Sequence, residues 1–197
     1  VTTPMLYFST HNLSTKSGVM ITGSHNPPEY NGFKIMINDK TLSTEDIEDL
    51  YNRIINKDYV EGKGKISTTN IKLHYIKEIS KSINLSRPLR VAIDCGNGAA
   101  SICAEELYDA IGAKVESLFC DVDGNFPNHH PDPSNPENLI TLQKKLLAGD
   151  SELGLAFDGD GDRLGVVTKK GEIIYPDRQL LLFAEDVLKK NPGSSII

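Results

Sequence analysis

Asp158, Asp160 and Asp162 alternate with Gly159 and Gly161 directly after the apolar run Leu155-Ala156-Phe157, and Arg163 closes the segment. In extended chain alternate residues point the same way, so three carboxylates converge on one side. Such a cluster repels itself unless a cation sits within it, and a hard divalent ion such as Mg2+ takes oxygen ligands of this kind. The glycines let the loop fold tightly around the ion. An EF-hand would need Gly at the sixth position and Glu at the twelfth, where this chain has Arg163 and Lys169. A solvated acidic turn accounts for two aspartates more readily than for three in strict alternation.

The second candidate is Thr22-Gly23-Ser24-His25-Asn26-Pro27-Pro28-Glu29-Tyr30-Asn31-Gly32-Phe33-Lys34. Ser24 stands between glycine and histidine at a strand-to-loop junction, where a serine can act as a nucleophile. The G-x-S-x-G elbow is absent, and Ser24 and His25, adjacent in the chain, need not face each other as a triad requires. Gly, Asn and Pro are also ordinary turn residues, so this loop by itself leaves site and turn both open.

The surrounding elements must present these loops. Val19–Thr22 and Phe33–Ile37 read as β-branched, apolar strands flanking the loop at 23–32. Ser43 and Asp46 have capping-box spacing, and Ile47, Leu50, Tyr51, Ile54 and Ile55 recur at helical spacing, predicting an amphipathic helix near 44–56. Gly62 to Lys65 read as a linker, and Ile71, Tyr75, Ile79 and Ile83 predict a helix that ends before Arg87-Pro88. Strands at 89–94, 113–120 and 153–158 then alternate with helices at 100–111 and 137–148, the order of a mostly parallel sheet covered by helices. Strands at 164–169 and 172–175 read as a hairpin through Lys169-Lys170-Gly171. A last helix runs from Pro176-Asp177 through Leu188 and stops at Asn191-Pro192-Gly193. Val1 and the strand-like Ser194–Ile197 suggest a piece of a longer protein.

Composition narrows the classes further. The 197 residues are 39% hydrophobic and 24% charged, without an apolar run long enough to span a bilayer as a helix. A net charge of -6 argues against a broad nucleic-acid surface, which needs clustered Lys and Arg. Cys95, Cys103 and Cys120 form no C-x-x-C pair, and no signal segment opens the chain, so a reducing cytoplasm is expected. A dinucleotide-binding fingerprint competes, because Gly96-Asn97-Gly98 follows a strand and has Asp121 and Asp123 downstream. Its third glycine position is Ser101, however, and it leaves the triple aspartate unexplained. A non-enzymatic metal- or phosphosugar-binding module is the remaining class.

Gly23-Ser24-His25-Asn26-Pro27-Pro28 with Tyr30-Asn31-Gly32-Phe33-Lys34 resembles the phosphoserine loop of the α-D-phosphohexomutases, and Asp158 to Arg163 resembles their metal loop. Phe126-Pro127-Asn128-His129-His130-Pro131-Asp132-Pro133, with Pro136-Glu137-Asn138-Leu139, is similar to the bacterial phosphomannomutase/phosphoglucomutase branch. Gly23 departs from the alanine common before the serine, a change toward smaller size that is expected to be tolerated.

The resemblance implies three-layer α/β/α domains with mixed, mostly parallel sheets. Residues 1–66 would be the C-terminal part of a first domain, 67–171 a second domain and 172–197 the start of a third. It implies a hexose phosphate as substrate, a hexose 1,6-bisphosphate as activator and no nucleotide. Ser24 would carry the phosphoryl group and join Asp158, Asp160 and Asp162 around one Mg2+. His25 and Lys34 would be the acid/base and phosphate-contacting residues, with Asn26 and Arg163 as supporting contacts to substrate. His129 and His130 lack a Cys or His partner at zinc spacing, so their loop is expected to be structural. The family's sugar-selecting and phosphate-binding loops lie further on, so residues 1–197 alone are expected to be inactive. Glucose versus mannose is left open.

Overall fold

A computed structural model describes residues 1–27 and 29–196, so Pro28 of the serine loop and Ile197 lie outside the described residues. A central β-sheet has the order β5-β4-β6-β7-β8: β4 is Arg90–Asp94, β5 Lys114–Leu118, β6 Leu153–Phe157, β7 Leu164–Thr168 and β8 Ile173–Ile174. β4 pairs in parallel with both β5 and β6, whereas β7 runs antiparallel to β6 and to β8. The sheet is therefore mixed, with parallel pairing confined to its first three strands.

Period-two alternation along β4 sorts its side chains onto two cores. Val91, Ile93 and Cys95 pack with Ala100, Ala104 and Ala113, on the side of helix α4 (Ala104–Ala110). Ala92, Ala156 and Val167 pack with Leu139, Leu142 and Leu146, on the side of helix α5 (Ile140–Ala148). Helices on both faces give three layers, and they explain why β4 is buried on both sides. Each helix starts with a turn of 3-10 helix, Ala99–Ile102 before α4 and Pro136–Leu139 before α5, so the expected helices at 100–111 and 137–148 are each composite.

The remaining elements are lighter. β1 (Gly18–Ile21), β2 (Phe33–Ile37) and β3 (Lys40–Thr41) form an antiparallel sheet of three strands. Helix α2 (Thr44–Ile55) carries the expected capping box: the Asp46 N–H donates to Ser43, and the Ser43 N–H donates to the Asp46 carboxylate at 2.8 Å. Its apolar residues Ile47, Tyr51 and Ile54 are exposed. Helix α3 (Lys72–Ser82) and helix α6 (Pro176–Lys190) lie where periodicity puts them. Residues 194–196, expected to begin a strand, are exposed and unstructured, because no described strand offers them a partner ladder.

One helix has no counterpart in the sequence reading. α1 spans Thr3–Asn12, capped by the Thr2 side chain and started by Pro4. Met5 is fully buried against Ile76 of α3 and Cys103, and the Phe8 ring meets Tyr75 edge-on at 5.3 Å between centroids. Other residues of α1 lie against β1 and β2, so this helix joins the small sheet to helix α3. Among the described residues no helix is long and apolar enough to cross a membrane.

Candidate functional site

β6 ends at Phe157, and the chain then turns through Asp158, Gly159, Asp160, Gly161 and Asp162 into β7. Asp158 and Asp160 are almost completely buried, and the three residues offer carboxylate oxygens within 4.8 Å of one another. The backbone shapes this cluster: the N–H groups of Asp162 and Arg163 each donate to Asp158 Oδ1 at 3.0 Å. Asp158 Oδ2 is thereby left facing the serine loop. Burial pushes the Asp158 carboxyl above its ordinary range and the Asp160 charge adds to this, against the hydrogen bonds from Arg163 and Ser24. At Asp160 burial also opposes ionisation, but hydrogen bonds from Thr3 and Lys34 outweigh it and hold the carboxyl low.

The serine loop meets this cluster across the gap between the two sheets. Ser24 Oγ donates to Asp158 Oδ2 at 2.9 Å and lies 3.2 Å from Asp160 Oδ1. Ser24 has φ of 53°, a left-handed conformation that costs a non-glycine residue about 1–2 kcal/mol. Such strain is held only where surroundings over-determine it. Here the Ser24 N–H is fixed by Thr22 Oγ1 at 2.8 Å while its carbonyl lies against Gly159. A Cβ on Gly159 would stand 2.0 Å from the Ser24 carbonyl oxygen, so the approach demands glycine. At Gly23 a Cβ would lie 2.8 Å from the Tyr30 carbonyl oxygen. The smaller residue is therefore accommodated by a loop that closes tightly behind the serine.

Lys34, on β2, reaches into the cluster and bridges Asp160, at 2.9 Å, and Asp162. Burial works against its charge, yet the hydrogen bonds with Asp162 and Asp160 raise its pKa above the usual lysine value. His25 Nδ1 lies 3.3 Å from Ser24 Oγ, and His25 Nε2 lies 3.4 Å from Arg163 Nη1. The Asn26 N–H donates to the Gly23 carbonyl at 2.9 Å and closes the turn, with the residue itself exposed. The structure thus brings together Ser24, His25, Lys34, Arg163 and the three aspartates, and sets Asn26 at the rim.

Two residues that sequence reasoning passed over complete the arrangement. Thr3 Oγ1 donates to Asp160 Oδ2 at 2.7 Å, and Thr22 Oγ1 lies 3.2 Å from the same oxygen. The Thr3 N–H also donates to the Asp160 carbonyl at 2.9 Å, which ties the start of α1 to the carboxylate loop. No motif spacing links threonine at position 3 to a loop at 160. The only available signal was Thr2-Thr3-Pro4, a cap-and-proline helix start.

The Gly96-Asn97-Gly98 turn has a different use from the one a dinucleotide fingerprint would give it. The Ala99 N–H just behind it donates to the Gly159 carbonyl at 2.8 Å, so the carboxylate loop occupies the space above it. Asp121 and Asp123 serve through their backbones, closing on the Asn97 side chain and carbonyl. His129 holds the neighbouring loop: its Nε2 lies 3.0 Å from Asp94 Oδ2, and its Nδ1 lies 2.9 Å from the His130 carbonyl oxygen. Both partners accept, and the Asp94 hydrogen bond raises the His129 pKa against the effect of burial.

Three carboxylates with a serine hydroxyl form an all-oxygen donor set, and two of the carboxylates are buried where an uncompensated charge is costly. These residues fit a hard divalent cation.

An α/β protein with an oxygen-rich cluster of carboxylates and a serine hydroxyl between two sheets is the class so defined. The family model described as phosphoglucomutase/phosphomannomutase α/β/α domain II matches residues 73–171, and that for domain I matches residues 1–61. The chain belongs to the phosphoglucomutase/phosphomannomutase family. It is 54% identical over 197 residues to a phosphomannomutase/phosphoglucomutase of Pseudomonas aeruginosa, covering 100% of this chain and 42% of that protein. It is 58% identical over 200 residues to a phosphoglucomutase of Neisseria meningitidis serogroup B, covering 100% and 43%. A crystal structure of a phosphoglucomutase/phosphomannomutase family protein from Burkholderia thailandensis superimposes with a TM-score of 0.93 at 49% identity, over 98% of this chain and 44% of that one. The chain thus spans less than half the length of these relatives.

Proposed function

We propose that this chain carries the phosphoryl-transfer centre of a phosphohexomutase that interconverts hexose 1-phosphate and hexose 6-phosphate, on mannose, glucose or both. The observation that supports this most directly is the approach of Ser24 Oγ to Asp158 Oδ2, at 2.9 Å, beside the Lys34 ammonium. On this reading 1–66 and 67–171 are the parts of two domains that bring serine and carboxylates together, and 172–197 begins a third. The β7–β8 hairpin carries the sheet across that last boundary.

Ser24 is the phosphoryl carrier. It passes the group to a sugar hydroxyl, and the bisphosphorylated sugar turns over and returns its other phosphoryl group to Ser24 Oγ. The sugar hydroxyl releases its proton to solvent as it attacks while His25, through Nδ1, gives one to Oγ as the phosphoryl group leaves. On return His25 takes the Oγ proton and solvent supplies one to the departing sugar oxygen. Lys34 stabilises charge on the phosphoryl oxygens, and Asn26 and Arg163 hold substrate phosphate at the rim. Asp158, Asp160, Asp162 and Ser24 would hold one Mg2+, which when bound neutralises the phosphoserine and draws charge from the group in transfer. A hexose 1,6-bisphosphate primes the serine. A cytoplasmic setting suits three free thiols.

The test is mass spectrometry of the full-length protein after incubation with a hexose bisphosphate and Mg2+. One phosphoryl group should map to Ser24 and leave when unphosphorylated acceptor is added, and Ser24→Ala should abolish both labelling and turnover. A phosphoryl group on His25, or full turnover by Ser24→Ala, would sink the mechanism. Binding of metal and hexose phosphate without turnover would make the protein a binding module.

A further inference from the structure

Cys95 and Cys120 take no part in the chemistry above, yet their sulfur atoms lie 3.2 Å apart and neither is bonded to another cysteine. Cys95 follows β4 and Cys120 follows β5, two strands paired in parallel, and the Cys95 N–H donates to the Leu118 carbonyl at 3.1 Å. The backbone thus brings these two side chains to one point. Cys95 is fully buried, whereas Cys120 is partly open to solvent. Cys103, the remaining cysteine, belongs to a separate core with Met5 and Ile76.

We propose that Cys95 and Cys120 form a peroxide-oxidisable thiol pair, which closes into an intramolecular disulfide in the folded protein. The accessible thiol is the one that reacts first. Cys120 Sγ can accept the hydrogen of Cys95, and this hydrogen bond holds the Cys120 thiol below the ordinary cysteine value, while the same bond and burial push Cys95 up. The Cys120 thiolate attacks one oxygen of hydrogen peroxide, the O–O bond breaks and hydroxide leaves, so the sulfur is oxidised to a sulfenic acid and the peroxide is reduced. Cys95 sulfur then attacks Cys120 sulfur. The S–S bond forms as the S–O bond breaks, and the departing hydroxide takes the Cys95 proton as water. Each disulfide consumes one peroxide and releases two waters.

A buried thiol alone would be inert, and an exposed thiol alone would stop at the sulfenic acid or proceed to irreversible oxidation. Here the second sulfur already touches the first, which favours closure. The nearby Leu118 carbonyl, 3.3 Å from Cys120 Sγ, accepts the thiol hydrogen in the reduced state.

The experiment treats the full-length folded protein with hydrogen peroxide, followed by intact mass, thiol titration and peptide mapping. The expected result is a mass lower by one pair of hydrogens, a loss of two titratable thiols, a Cys95–Cys120 cross-linked peptide and full reversal by a dithiol reductant. Cys103→Ser should close as the native protein does. Cys120→Ser, a mild change at a partly open position, should lose closure while keeping the native far-ultraviolet dichroism spectrum. Retention of the Cys95 and Cys120 thiols under peroxide, a cross-link that includes Cys103, or oxidation of Cys120 to the sulfinic acid without closure would each overturn the proposal.

Discussion

The two halves of the candidate centre are held by opposite means. The carboxylate loop hangs from a sheet whose strand β4 has Val91, Ala92 and Ile93 at 1%, 0% and 0% exposure, and the loop's own backbone N–H groups fix Asp158. The serine loop hangs from a small antiparallel sheet on which Val19, Ile21 and Phe33 are all more than half exposed. Its strained serine is braced largely by the other half, through Gly159, Asp158 and Asp160. Rigidity is thus concentrated on the side that holds three negative charges. The serine side has less of it, and on the proposed reading this is the side that carries and releases a group, in keeping with the low local stability expected of functional loops.

Changes that break this division rank by what they remove. Asp160→Asn should reduce turnover by about 100- to 1000-fold, the scale for loss of one charge-stabilising group. Its melting temperature should fall only modestly, because relief of repulsion with Asp158 offsets part of the lost Lys34 pairing. A large drop in melting temperature with turnover retained would mean that the carboxylate loop is structural.

Gly159→Ala attacks the seam itself. A Cβ 2.0 Å from the Ser24 carbonyl forces two backbones apart, at a cost of roughly 1–3 kcal/mol for overpacking. The expected signature is a lower melting temperature together with faster amide exchange in the serine loop, while amides of β4 and β6 stay protected. Uniform loss of protection would erase the contrast between the halves.

Thr3→Val sharpens the comparison more gently. The Asp160 backbone contact survives but the 2.7 Å hydroxyl bond is lost, and affinity for Mg2+ should weaken about 10- to 100-fold, as for other groups that orient a ligand. Calorimetric titration with the metal alone reads this, and unchanged affinity would deny α1 any hold on the site.

The His129–Asp94 pair predicts a smaller, pH-dependent effect on the rigid side. The His129 pKa is raised from 6.5 in the folded state, so its stabilising contribution is complete below 6.5 and is lost as pH rises through the higher folded value. Melting temperatures of the native protein and His129→Gln should differ most in mild acid and converge in mild base. A difference that grew with pH would reverse the assignment. Least of all, Arg87→Ala should leave the melting temperature essentially unchanged, since its bidentate pair with Glu152 lies at the surface.

Much of the rigid half could be read in the sequence because each signal there is local. Three alternating aspartates after an apolar strand and the strand-helix alternation depend on neighbours within one or two elements, as does the Ser43/Asp46 box of α2 in the other half. The direction of β7 and β8 was legible through the Lys169-Lys170-Gly171 turn. The rest depended on distance. α1 escaped notice because its buried residues, Thr3, Met5, Leu6 and Thr10, do not follow a single apolar stripe, and its partners are a hundred or more residues away in part. Thr3 and Thr22 could not be assigned to Asp160 for the same reason, since a hydroxyl has no motif until the fold brings it to a carboxylate. The fingerprint at Gly96 misled because a glycine turn that admits a phosphate also admits another backbone, here that of Gly159.

The hydrogen bond from Ser24 to Asp158 joins residues 134 apart in the chain, and that from Thr3 to Asp160 joins residues 157 apart. During synthesis at about 5–20 residues per second, the serine loop therefore waits on the order of ten seconds for the carboxylates that brace it. Through that interval Lys34 has no aspartate of the cluster to pair with, and Ser24 has no reason to hold a left-handed backbone. Closure of so long a loop is a slow, non-local event. The nascent chain can thus fold its first strands without acquiring the serine's left-handed conformation, which arrives only when the second unit docks.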